Sequence, residues 1–165
     1  MENELPRLDK KVIVVGNLGD DSEEKHYWLS RSKADRLNAV ECNRGYAVGY
    51  HGYPRATGDL DIWIAVSEDN AENTARALRE FGMPEQETTG KLFLEKDKII
   101  RIGVPPVRLE IITGASGINF DECYSRRETV KIDELPVNFI SLADLKLNKR
   151  AAGRHKDLED LEHLS

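Results

Sequence analysis

Residues 45–64 read Gly45-Tyr-Ala-Val-Gly-Tyr-His-Gly-Tyr-Pro-Arg-Ala-Thr-Gly-Asp59-Leu60-Asp61-Ile62-Trp63-Ile64, and the last six decide the fold. Leu60, Ile62 and Ile64 alternate with Asp59, Asp61 and Trp63, which predicts a strand with its aliphatics on one face and both carboxylates on the other. Aspartate is a poor strand former, yet a turn rich in Gly and Tyr delivers the chain into this run. Local propensity is overridden, as happens at functional sites. Two carboxylates about 4 Å apart repel by roughly 4 kcal/mol at an effective dielectric near 20, so a cation is called for. Hard oxygen donors at same-face positions suit Mg²⁺ (or Mn²⁺), with Asp59 and Asp61 as metal ligands. The plainer alternative is an exposed strand face carrying two solvated acids.

A third acid comes from the stretch Val107-Arg-Leu-Glu-Ile-Ile-Thr113. As a strand it turns Leu109 and Ile111 one way and Arg108, Glu110 and Ile112 the other, so Glu110 joins Asp59 and Asp61 if the two strands are neighbours. The alternative for Glu110 is an exposed acid paired with Arg108. Between the two stretches, Ser67 or Asn70 caps a helix with Ala71, Ala75, Leu78 and Phe81 on its core face, stopped by Gly82 and Pro84. Leu92–Leu94 and Ile99–Ile102 flank Lys96-Asp97 and predict a hairpin.

Downstream, Phe120 onward predicts a short helix, followed by strands at 129–132 and 137–140. Ser141-Leu-Ala-Asp144 is a capping box that opens a C-terminal helix. Leu147, Ala151, Leu158 and Leu161 form its apolar stripe, with Lys146, Lys149, Arg150, Gly153 and Asp157 on the opposite side, where the basic groups face a phosphate. Arg154 is placed to hold Asp157 by a charge-assisted bond. The alternative is a solvated face laced with i, i+3 and i, i+4 ion pairs. Upstream, Lys11–Val15 predicts a short strand, and Ser32-Lys-Ala-Asp35 caps a helix that ends near Arg44.

The run from Gly45 to Ile64, the later acid Glu110 and the C-terminal Lys149-Arg-Ala-Ala-Gly-Arg154-His-Lys-Asp157-Leu-Glu-Asp160 together resemble the DNA polymerase β-like nucleotidyltransferase superfamily, specifically small bacterial members related to toxin-type, abortive-infection nucleotidyltransferases. The likeness extends from about Gly45 to Leu161. It implies an α/β (α+β) nucleotidyltransferase fold, with a mixed twisted sheet flanked by helices. It also implies transfer of a nucleoside monophosphate from an NTP to a hydroxyl acceptor on a protein, an RNA 3′ end or a small molecule. Catalytic and metal roles then fall to Asp59, Asp61 and Glu110, and nucleotide contacts to Gly45, Tyr46, Thr57, Lys149, Arg154 and Asp157, with Lys149 on the triphosphate. Two positions depart from the family pattern: Arg44 stands where the first glycine of the turn is expected, and Glu110 replaces the usual Asp. The competing expectation is a catalytically degenerate binding module of the same fold, antitoxin-like or regulatory.

At 165 residues the chain is long enough for a real core. The expected organisation is an atypical extension over 1–44 and a nucleotidyltransferase-like unit over 45–165, packed as one compact body. The extension's strand is expected to add to a sheet edge, or the segment to dock to a protein partner. The net charge of −6 provides no global field to recruit nucleic acid, so any such contact needs a local patch. Cys42 and Cys123 have no metal-ligand spacing and read as reduced thiols of a cytoplasmic protein. No apolar run reaches about 18 residues, and no membrane association is expected.

Overall fold

The computed structural model describes residues 13–17, 46–54, 59–104, 107–132 and 135–164. In chain order the elements are β1 (Ile13–Asn17), α1 (Tyr46–Tyr50), β2 (Asp59–Trp63), α2 (Glu68–Glu80), two 3₁₀ turns (Glu85–Glu87 and Gly90–Phe93), β3 (Lys98–Val104), β4 (Val107–Ile112), α3 (Phe120–Ser125), β5 (Glu128–Ile132), β6 (Leu135–Phe139), α4 (Leu142–Ala152) and α5 (His155–His163). The fold is α+β. Two compact units divide the chain, one from Met1–Arg44 with Ala56–Gly114, the other from Gly45–Arg55 with Ala115–Ser165. The division therefore differs from the one expected at 44/45, because 45–55 groups with the C-terminal third.

The first unit is built on a four-stranded mixed sheet of order β1-β3-β4-β2. The strand expected near the N-terminus adds antiparallel to β3, Val15 opposite Ile100. β3 and β4 pair antiparallel, with Val104 opposite Val107. β2 lies parallel to β4 with Leu60 opposite Leu109 and Ile62 opposite Ile111. The hairpin expected around Lys96-Asp97 is not formed. Residues 90–93 instead make a 3₁₀ turn that carries Phe93 into the core with no exposed surface. Burial of that ring outweighs the weak strand signal of three residues.

Ser67 caps α2, its hydroxyl accepting from the Asn70 amide at 3.3 Å. Ala71, Ala75 and Leu78 are buried as their spacing predicts, and they pack with Ile64, Met83, Phe93, Ile100, Ile102 and Ile111. Phe81 departs from the expected stripe. It sits at the C-cap, past the last helical turn, and is 46% exposed. The aliphatics of β2 share the core face of β4, but β2 ends the sheet, and Leu60 and Ile62 remain half-exposed.

The second unit joins a two-stranded antiparallel sheet, β5-β6, to α1, α3, α4 and α5. Val48, Leu145 and Leu164 form its small apolar core, with Ala47, Tyr53, Ile140 and Leu142 against it. Ser141 caps α4, and its hydroxyl donates to Asp144 Oδ2 at 2.7 Å while accepting from the Asp144 amide at 3.2 Å. The single C-terminal helix of the sequence reading is two helices. Gly153 takes φ +64°, a left-handed C-terminal cap open to glycine at low cost, and Arg154 is extended. No helix among the described residues is long and apolar enough to cross a membrane.

Candidate functional site

The parallel register of β2 and β4 brings the three predicted acids to one face. Asp61 stands directly opposite Glu110, and Asp59 opposite Arg108. β3 continues the rows, with Arg101 opposite Glu110 and Gly103 opposite Arg108. One row of charge thus runs across three strands, Arg101–Glu110–Asp61, and beside it the pair Arg108–Asp59 spans two. Three carboxylates against two guanidiniums leave one net negative charge on this face.

The acids are not simply solvated. Arg108 Nη2 donates to Asp59 Oδ2 at 2.9 Å and lies 2.7 Å from Glu110 Oε1. Arg101 Nε donates to the same Glu110 oxygen at 3.0 Å. Asp59, Arg108 and Glu110 are all buried, and Asp61 is exposed. The alternative weighed for Glu110 is therefore half realised: it pairs with Arg108, but in the interior. Burying such groups costs several kcal/mol per ion and is tolerated only with close, hydrogen-bonded partners. Here the arginines supply them. Arg101 was not singled out in the sequence, although it occupies the opposite face from Ile100 and Ile102 in the same alternation; its partner becomes visible only when β3 is known to flank β4.

Carboxylate oxygens are what a hard divalent cation takes, and this face offers three carboxylates on adjacent strands, so the donor set fits Mg²⁺ in kind. Among the described residues, no three of His, Cys, Asp and Glu are drawn together closely enough to hold an ion as they stand.

Lys149, Arg154 and Asp157 fall in the second unit. Lys149 is buried, and its ammonium donates to Asp157 Oδ1 at 3.1 Å and Asp160 Oδ2 at 2.5 Å. Arg154 Nε donates to Asp157 Oδ2 at 2.8 Å, the bond expected from the sequence. The stripe assigned to this region is reversed: Leu147 and Leu158 are 48% and 47% exposed, while Lys149, Asp157 and Asp160 are inside. On α4 the buried side carries Leu145 and Lys149, spaced i, i+4, which leaves Leu147, two residues from each, toward solvent. Lys149 on α4 ties the start of α5 back to its own helix. Tyr46 opens α1; Gly45 and Thr57 lie outside the described residues, as does Arg44.

Other polar groups of this unit serve structure. His51 Nε2 donates to the Ile140 carbonyl at 2.8 Å, which fixes the ring against the approach to α4. Arg126 makes a two-pronged bond to Asp144, at 2.8 and 3.2 Å, and this pair had no sequence signal. The Arg126 hydrogen bonds hold the Asp144 carboxyl below its ordinary value of 3.8, against the opposing effect of burial. Cys123 is buried, and desolvation pushes its thiol up, away from the reactive thiolate.

No protein-family model matches the chain, and no curated protein matches its sequence.

Proposed function

We propose that the protein transfers a nucleoside monophosphate from an NTP to a hydroxyl acceptor, with release of pyrophosphate. The observation that supports this reading is the arrangement of Asp59, Asp61 and Glu110 on one face of two parallel, hydrogen-bonded strands, Asp61 directly opposite Glu110. Phosphoryl chemistry asks little covalent work of a protein and much positioning and charge stabilisation, which suits carboxylates fixed on strands rather than loops. Asp59, Asp61 and Glu110 are the residues that would hold Mg²⁺. When bound, the ion neutralises charge on the phosphates and orients them. Asp61 is the exposed member, while Asp59 and Glu110 are held by Arg108 between them and Glu110 also by Arg101.

Calorimetric titration with each of the four NTPs in Mg²⁺, run beside an Asp59→Asn/Asp61→Asn variant, tests the reading. Metal-dependent binding by the wild type and its loss in the variant are expected. A folded wild type that binds none of the four overturns it.

A second reading has its own observation. Arg108 bonds Asp59 and Glu110, which suits a degenerate member of such a fold that binds a partner without chemistry. Under that reading Asp61→Asn leaves every measurable property except partner binding unchanged.

A further inference from the structure

We draw no further inference here: the strongest candidate, the half-exposed aliphatic face of β2 at the end of the four-stranded sheet, carried by Leu60 and Ile62, is an apolar strand face for which nothing among the described residues shows what covers it.

Discussion

Replacing Lys149 with methionine keeps an unbranched stem one atom shorter and removes the charge, leaving the Asp157 and Asp160 carboxylates inside the second unit without their shared cation. The Lys149 side chain is 8% exposed, and the carboxylates it bonds are 11% and 1% exposed. Removing one partner of a buried ion pair costs about 3–5 kcal/mol. Arg154 still holds Asp157 at 2.8 Å, but its own side chain is 63% exposed and its contribution is screened, so the lower half of that range applies. For a chain of this size 1 kcal/mol corresponds to roughly 2–4 °C in melting temperature, which sets the expected loss for Lys149→Met at about 6–16 °C by far-UV circular dichroism. The double variant Lys149→Met/Asp160→Leu removes the stranded charge along with its partner and recovers much of the loss. A Lys149→Met protein that melts within about 2 °C of the wild type would show that the ion pair adds nothing to stability, and that reasoning from its burial is wrong.

The pair between Arg126 and Asp144 predicts an acid limb. The folded-state carboxyl of Asp144 lies below its ordinary value of 3.8, so its stabilisation is complete above that value and is lost as pH falls through the lowered one. Urea unfolding of wild type and Arg126→Gln should therefore differ at pH 7 and converge toward pH 2; a gap that stays constant over that range refutes the linkage. Gly153→Ala forces a side chain into φ +64° and is expected to cost about 1 kcal/mol, read as a shift in urea midpoint at unchanged slope. Gly114→Ala places a methyl 3.0 Å from the Asp97 Cα, with the Asp97 carboxylate closer still, and is expected to destabilise the first unit by roughly 1–3 kcal/mol. Asp61→Asn is expected to abolish nucleotidyl transfer while the melting temperature moves by no more than about 2 °C, because the side chain is exposed; retained turnover refutes its assignment.

The sequence by itself determined what depends on near neighbours. Alternation over 59–64 and 107–113 set which side chains share a strand face, the Ser67 and Ser141 caps set where two helices begin, and the spacing of Ala71, Ala75 and Leu78 set which side of α2 is buried. Each is a consequence of backbone geometry over a few residues. Tertiary structure alone decided who pairs with whom. β3 took β1 and β4 as neighbours rather than the segment at 92–94, and this put Arg101 beside Glu110. Parallel pairing set Asp61 against Glu110 and slid Arg108 between two acids, a contact 49 residues apart in the case of Asp59. Lys149 shares the buried side of α4 with Leu145 and meets Asp157 and Asp160 of α5, against the stripe drawn from the leucines. A buried charge is stable only beside its counter-charge, and periodicity in one segment carries no record of the partner that another segment brings.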